Sequence, residues 1–354
     1  MTGRPLRVGV IGASYAAASH LPVYARLPEI DVTAIATAHR DTAEAAARRF
    51  GIPAAYDDYR RLCESDQVDV VDVVTRPSLH PPMAIAALRA GKHVLCEAPL
   101  AADTAGGTDM VDAAHAAGTH AVVDLQSRFS PGLWHLRRLV RDGWLGRVDN
   151  VHATAFYPTF TRPDRAATSL WCADATAGAG SLRVHGLHTA DLITWIFGPL
   201  TDVTGHTATR EPTWSGPDGP IGVTSTDSSA LTARTGDGAL CSIHTSWIAW
   251  HGSGWRLDAY GSHGHLRAEA AGHTGHHPVT LYGARHDEPT PTRLTPPPED
   301  DPITDPPPHA SGHAFAHLAR RLARTVDGDL DPDLPTFDDA LGLLRIADLA
   351  ETHA

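Results

Sequence analysis

The chain has 354 residues, 42% of them apolar and 20% charged, and a formal net charge of -12. That length predicts two domains, and the apolar fraction supplies real cores for them. The acidic balance, with no basic stripe anywhere, excludes nucleic acid as a bulk electrostatic partner, and no run is apolar enough over a sufficient length to predict a membrane span.

From the start, Leu6 to Gly12 reads as an apolar strand entering a small-residue turn, and Ala16 to Leu27 as a helix. The segment before it carries no charged-then-apolar signal region, so a cytoplasmic protein is expected. A second strand, Asp31 to Ala36, precedes an Ala-rich helix from Asp41 to Phe50 that Gly51 and Pro53 end. Val68 to Val74 is a valine run interrupted by Asp69 and Asp72, close to what a strand buried on both faces requires. A helix from Pro82 to Ala90, a strand from Lys92 to Cys96, a helix from Asp103 to Ala117 and a strand from Ala121 to Asp124 follow. This alternation predicts a doubly wound parallel sheet over residues 1–125.

After Arg128 the pattern changes. Val151 to Phe156, Ala230 to Thr235, Ala239 to Trp250, Trp255 to Tyr260 and His265 to Glu269 are strand-like and joined by turn residues. They predict an α+β domain with a large, mostly antiparallel open sheet over residues 126–336, containing one helix from Gly186 to Phe197. The stretch from Pro289 to Pro308 is expected to be irregular, and Phe337 to Glu351 to be a helix within a C-terminal segment, 337–354, that packs back. Cys63, Cys96, Cys172 and Cys241 lie far apart and read as buried free thiols. His273, His276 and His277 read as solvated loop histidines, and no metal site is expected.

The turn Gly12-Ala13-Ser14-Tyr15-Ala16-Ala17 stands where a dinucleotide fingerprint belongs. Gly12 suits the tight turn and Ala17 allows close packing of helix on strand. Ser14 replaces the glycine that lets backbone approach a pyrophosphate and offers a hydroxyl instead. At the end of the second strand no acid is present to bind ribose hydroxyls. Thr37, His39 and Arg40 are there, and their donors suit a 2′-phosphate, so NADP(H) is favoured over NAD(H).

Four segments carry a resemblance over nearly the whole chain: Val8 to His20, Thr75-Arg76-Pro77-Ser78-Leu79-His80, Ala90 to Leu100 and Gly178 to Asp191. Together they resemble the Gfo/Idh/MocA family of nicotinamide-dependent oxidoreductases. The opening segment with Ser19-His20-Leu21-Pro22 is most similar to its galactose-repressor-like branch. The resemblance implies a Rossmann domain followed by an open-sheet substrate domain, with Thr75, Arg76, Pro77, His80, Glu97 and Ala98 at the cofactor.

Where the family carries Glu-Lys-Pro, this chain has Glu97-Ala98-Pro99. Alanine moves no proton, and Lys92 is the only lysine in the chain. Where the family's second motif has its first aspartate, Val184 stands, whereas His188 and Asp191 are retained. The resemblance therefore implies His188 as acid/base near the nicotinamide, with Asp191 and Tyr157 as further catalytic candidates. Arg128, Trp171, Arg183 and His185 are the substrate candidates: Arg183 and His185 bracket the missing aspartate and suit an anionic substrate or a developing oxyanion, and Trp171 is expected to wall the site. Read locally, Tyr157 and Trp171 suit a core and Arg183 a salt bridge equally well.

Two functions follow from these residues. One is an NAD(P)-dependent oxidoreductase, in a homo-oligomer, acting on a small polar carbonyl or alcohol such as a sugar, cyclitol or specialised-metabolite intermediate. The other is a sensor that keeps the cofactor fold without turnover, or a redox-neutral enzyme on the same fold.

Overall fold

The computed structural model describes residues 4–161, 169–301 and 312–352. The last part of the expected Pro-rich loop, residues 302–308, lies outside them. The chain divides into two compact units, one running to Gln126 and resuming before Leu341, the other running from Ser127 to Thr304 and resuming at Gly342.

In the first unit, strands β1 (Leu6–Ile11), β2 (Ile30–Ala36), β3 (Ala54–Tyr56), β4 (Val70–Val73), β5 (His93–Cys96) and β6 (Ala121–Val123) form one sheet in the order β3-β2-β1-β4-β5-β6. Every pairing in it is parallel. This order reverses direction between β1 and β4, which opens a crevice at the carboxyl ends of the strands. All four residues of β4 are buried, as a strand covered on both faces must be. The covering helices are α1 (Ser14–Ala18), α2 (His20–Tyr24), α3 (Arg40–Phe50), α4 (Tyr59–Cys63), α5 (His80–Arg89) and α6 (Thr104–Ala117). Asp103 caps α6 by accepting from the Gly106 N–H at 2.7 Å, and Gly118 ends it in the left-handed region.

The single helix expected from Ala16 to Leu27 is instead two helices of five residues, separated at Ser19 with φ -120° and ψ -69°. Pro22 has no N–H to give the Ala18 carbonyl, so a continuous helix would lose that bond, whereas in the first turn of α2 no such bond is needed. The break turns His20 into the core, fully buried.

In the second unit, α7 (Pro131–Arg141) leads into β7 (Val148–Phe156), and α8 (Leu187–Phe197) precedes β8 (Thr201–Ala208). Strands β9 (Thr213–Gly216) and β10 (Gly219–Gly222) form a separate hairpin. The remaining strands are β11 (Ser228–Arg234), β12 (Leu240–Ser246), β13 (Gly254–Gly261), β14 (Gly264–Ala270), β15 (Thr280–Arg285) and β16 (Thr292–Leu294). The main sheet has eight strands, ordered β16-β15-β14-β13-β7-β12-β11-β8, with β7 and β12 parallel and its other pairings antiparallel. Along β11 burial alternates, so one face packs and the other meets solvent. The stretch expected to be irregular after Pro289 contributes β16, which pairs with β15.

Helix α9 (His313–Val326) falls in the first unit, not in the 126–336 domain that sequence predicted. Its Phe315 is fully buried and stacks on His20 with ring centroids 4.0 Å apart. Nothing local in the sequence marks that long-range pairing. The final helix, α10 (Phe337–Glu351), lies where it was expected. All four cysteines are buried free thiols.

Candidate active site

At the crest of the first unit, Gly12 leaves β1 with φ +106° and donates its N–H to the Ala36 carbonyl at 2.8 Å. A side chain here would meet the Val74 carbonyl, so the turn requires glycine. Ala13 follows, Ser14 and Tyr15 are exposed on the first turn of α1, and Ala16 is buried beneath them. The first N–H groups of that helix have no intrahelical acceptor. A tight turn, orphan backbone donors and an exposed hydroxyl suit a dinucleotide phosphate, so the residues present fit such a group.

At the end of β2, Thr37 Oγ1 contacts Thr42 Oγ1 and donates to the His39 carbonyl at 2.8 Å, while His39 and Arg40 are exposed. Arg40 donates to Glu44 at 2.6 Å, an exposed i,i+4 pair that holds the guanidinium only weakly. Thr75 ends the β4 crossover, Arg76 is exposed, and Pro77 is buried in a single 3-10 turn.

His80 does not face the crest as a cofactor contact. It is fully buried, with Nε2 3.1 Å from the Thr75 carbonyl and Nδ1 3.1 Å and 3.2 Å from those of Pro99 and Leu100. Burial holds its ring below the usual histidine range. His80 is a clamp that ties the loop after β4 to the loop after β5, where the Ala98–Pro99 bond is cis.

Beneath that crest lies a cluster that sequence reasoning missed. His20 Nδ1 is 2.8 Å from Asp72 Oδ2, and its Nε2 is 2.9 Å from Glu97 Oε1 and 3.3 Å from Asp124 Oδ2. Tyr24 also donates to Asp72, at 2.9 Å. Burial alone would lower the His20 pKa, but the charge of Asp72 and hydrogen bonds that the ring donates to Asp124, Asp72 and Glu97 raise it well above the usual range. One imidazolium then faces three carboxylates, and full ionisation would leave two negative charges unbalanced. Glu97, with 16% of its side chain exposed, is pushed up to about 7, by burial first and by Asp124 next. Asp72 was the available signal: an acid in a strand buried on both faces must have a partner.

The second unit gathers its histidines separately. A single π turn, Leu182–Gly186, leads into α8 and carries His185, and His188 is the second residue of that helix. The His188 ring meets the His273 ring edge to face at 4.5 Å, and His185 lies 5.9 Å from the same ring. Tyr157, just beyond β7, packs on His185 at 4.8 Å, and Trp247 closes that side at 5.9 Å. Burial and then His276 lower His185 to about 4, while burial, His185 and His276 lower His188 to about 3. His273 is lowered well below its usual value by the same causes. The rings are therefore neutral at pH 7, and the Nδ1 atoms of His185 and His188 are buried without a hydrogen-bond partner. Gly275 donates its N–H to His273 Nδ1 at 3.2 Å, which puts that ring's proton on Nε2. Thus His273 and His276 are ring neighbours in a recess and not the solvated loop histidines expected.

The other expected site residues separate. Asp191 does not orient His188: it is 1% exposed and forms a bidentate pair with Arg128, at 2.9 Å and 2.5 Å. A carboxylate so buried requires its cation, and Arg128 is correspondingly withdrawn from substrate. Arg183 is bridged as well, its Nε and Nη2 donating to Asp348 at 2.6 Å and to Glu351 at 2.6 Å and 3.1 Å, while its Nη1 is buried without a hydrogen-bond partner. Trp171 and Val184 pack against a cluster built on Phe160, Trp214 and Trp247, so Trp171 joins a core more than it walls a site. Among the predicted second-domain residues, His185, His188 and Tyr157 alone come together in the recess.

Comparison with known proteins gives the same architecture. Residues 6–125 match the family profile described as an oxidoreductase family with an NAD-binding Rossmann fold, and residues 133–267 match the GFO/IDH/MocA C-terminal domain. The chain is 34% identical over 282 residues to a dTDP-3,4-didehydro-2,6-dideoxy-alpha-D-glucose 3-reductase of Streptomyces violaceoruber, covering 78% of this chain and 77% of that protein. It is 28% identical over 263 residues to the levoglucosan dehydrogenase of Pseudarthrobacter phenanthrenivorans, covering 68% and 67%. The crystal structure of an oxidoreductase domain protein from Kribbella flavida superposes with a TM-score of 0.86 at 29% identity, covering 98% of this chain and 96% of that one.

Proposed function

Because this chain belongs to the Gfo/Idh/MocA oxidoreductase family, we propose that it interconverts a small, polar carbonyl compound and its alcohol, with His188 as the group that handles the substrate oxygen. A bound nicotinamide supplies or accepts the hydride. The observation that carries this reading is the unpartnered Nδ1 of His188, in a recess shared with His185, His273 and Tyr157. A ring with its pKa near 3 is a weak base but a good neutral hydrogen-bond donor. Such a donor polarises a carbonyl and suits substrates that are already electrophilic, ketosugars and cyclitol ketones, with the proton that the reduced oxygen takes up coming from solvent. An imine or enone would take hydride and proton in the same way to give an amine or a saturated carbonyl. With Arg128 and Arg183 both engaged by carboxylates, the recess offers imidazole, phenol and indole groups, which favours an uncharged substrate.

NADP(H) remains the favoured cofactor, supported by the absence of an acid after β2 and by Arg40, held only by exposed Glu44. Fluorescence titration with NADPH and NADH measures that preference, and binding of neither would refute the whole reading. A screen of neutral ketosugars, imines and enones then follows loss of the reduced-nicotinamide absorbance. His188→Ala is expected to lower kcat about 100-fold or more while leaving cofactor affinity unchanged. Undiminished turnover in that variant would remove His188 from the mechanism.

A second reading, a sensor without turnover, is favoured by the joint replacement of lysine and aspartate at Ala98 and Val184. Cofactor binding with no turnover across that screen would select it. A homo-oligomer, dimer or tetramer, is supported by exposed Leu240 and Tyr260, which flank Asn150 in one row across the open sheet. Light scattering on the purified protein tests it.

A further inference from the structure

Of the buried cluster around His20, only Tyr15 and Glu97 have been given a role, as expected cofactor contacts; the network they join has none. Its groups come from every element that meets at the crest: His20 and Tyr24 from α2, Tyr15 from α1, Asp72 from β4, Cys96 and Glu97 from the end of β5, and Asp124 just past β6. Phe315 of α9 covers the His20 ring on its other side. Lysine and arginine are absent from this set, so the charge balance within it falls to protons. Asp72 and Asp124 are fully buried and lie on His20, while Glu97 alone reaches the surface, at the carboxyl end of β5. In an open parallel sheet that end is where the ligand sits.

His20 Nε2, Glu97 Oε1 and Asp124 Oδ1 are each buried without a well-aligned hydrogen bond, although Nε2 and Oε1 lie only 2.9 Å apart. A network with two acceptor carboxylates crowded on one N–H is short of a proton. An added proton on Glu97 would give Asp124 or Asp72 less repulsion and Glu97 a donor of its own.

We propose that the Asp72–His20–Glu97–Asp124 network couples proton uptake at Glu97 to the redox state of the bound nicotinamide, so that the ionised network selects the oxidised cofactor and the protonated network the reduced one. The inference rests on the cofactor reading above. The physical basis is the charge difference between the two forms of the cofactor. The oxidised ring is cationic and favours a nearby carboxylate; the reduced ring is neutral, excludes water and favours the carboxylic acid. By linkage, binding the oxidised form releases a proton and binding the reduced form takes one up. Discrimination between the two forms therefore varies with pH across neutrality, where Glu97 titrates.

The test is equilibrium titration of the full chain with the oxidised and the reduced form of whichever dinucleotide binds, from pH 5.5 to 8.5, with proton release followed by an indicator dye in weak buffer. The ratio of the oxidised-form Kd to the reduced-form Kd should fall about tenfold or more over that range, if the ring displaces the Glu97 pKa by one unit or more. Glu97→Gln should flatten the ratio and abolish the proton exchange. Asp124→Asn removes a neighbouring negative charge and should move the midpoint to lower pH while keeping the slope. A ratio independent of pH with both forms binding, or one that Glu97→Gln leaves pH-dependent, overturns the proposal and leaves the cofactor reading intact. Failure of both forms to bind overturns the cofactor reading instead. Stoichiometric metal in the purified protein also overturns it, because the His20, Glu97 and Asp124 ligand atoms lie within 4.8 Å of one another and a cation would take the proton's place.

Discussion

Acidification from pH 7 to pH 5 should weaken the second unit more than the first, where opposing shifts offset one another, and the structure supplies the size of the main effects. His185 and His188 titrate near 4 and 3 when folded, against about 6.5 in the unfolded chain. The unfolded state therefore binds protons that the folded state refuses, and stability is lost as pH falls below about 6.5. Over the interval to pH 5 this amounts to about 2 kcal/mol for each ring, and about 3 kcal/mol for the pair, since each shift includes repulsion from another imidazole. In the first unit the shifts oppose one another. Glu97 titrates near 7 against a usual 4.5, so its folded form gains a proton first and contributes about 2 kcal/mol of stability over the same interval, whereas the rings of His80 and His93, held low by burial, lose stability as pH falls. His20, raised well above its usual range, acts in the same direction as Glu97.

The tryptophans make the assay clean. All eight, Trp134, Trp144, Trp171, Trp195, Trp214, Trp247, Trp250 and Trp255, fall within the second unit. The urea midpoint read by tryptophan fluorescence should drop by on the order of 1 M between pH 7 and pH 5. Hydrogen exchange of β1, β4 and β5, corrected for intrinsic rates, should lose less protection than that of β7, β12 and β13. A His185→Asn, His188→Asn double variant should lose most of the fluorescence shift. An unchanged midpoint, or a parallel loss of protection in the first unit, would refute the assignment of neutral, desolvated imidazoles to the recess.

Other outcomes follow from single contacts. Gly12→Ala combines a positive φ with a collision on the Val74 carbonyl and should cost about 3 kcal/mol or more, read by thermal melting, together with dinucleotide binding. Arg128→Ala strands the buried Asp191 carboxylate and should cost about 3 to 5 kcal/mol in denaturant titration, and Arg128→Met with Asp191→Leu should recover much of it. Arg183→Ala, by contrast, breaks a partly solvated bridge to Asp348 and Glu351, so stability should fall by about 1 kcal/mol with KM unchanged; a large KM effect would return Arg183 to the substrate.

The parallel sheet was legible because its strands are short apolar runs between helices with recognisable ends, and β4 reads as valine throughout except for Asp72. What the sequence concealed is what lies far apart in it. Phe315 reaches His20 across nearly three hundred residues, and no local pattern predicts that stack. Pro22 marks a break in the helix expected from Ala16 to Leu27, but no pattern reveals that the break buries His20. The second unit repeats the lesson: the stretch around His273 reads as loop by composition, yet its ring packs on His188. Motif position placed His188 and His185 in one neighbourhood, but charge pairing decided the arginines. Arg128 and Arg183 each had a carboxylate elsewhere in the chain that only the fold brings close.

The family resemblance leads one to expect a lysine where Ala98 stands, and Ala98→Lys tests whether an ammonium there restores the expected chemistry. Ala98 is half-buried at the crest, so a long side chain has an outlet, and its N–H lies 3.3 Å from Glu97 Oε2. An ammonium introduced there would stand beside the one carboxyl of the cluster that titrates near neutrality, and should lower the Glu97 pKa by about 1 to 3 units. Two readouts follow together. The pH dependence of cofactor discrimination should leave the neutral window, and oxidation of unactivated polyols, followed at the reduced-nicotinamide absorbance, should rise about tenfold or more over the parent chain. If the folded variant shifts the titration but gains no polyol oxidation, the lysine was not the missing element, and the recess around His188 is shaped for a different class of carbonyl. If neither readout moves, the ammonium does not reach Glu97, and the crest is not the proton-handling surface its buried carboxylates indicate.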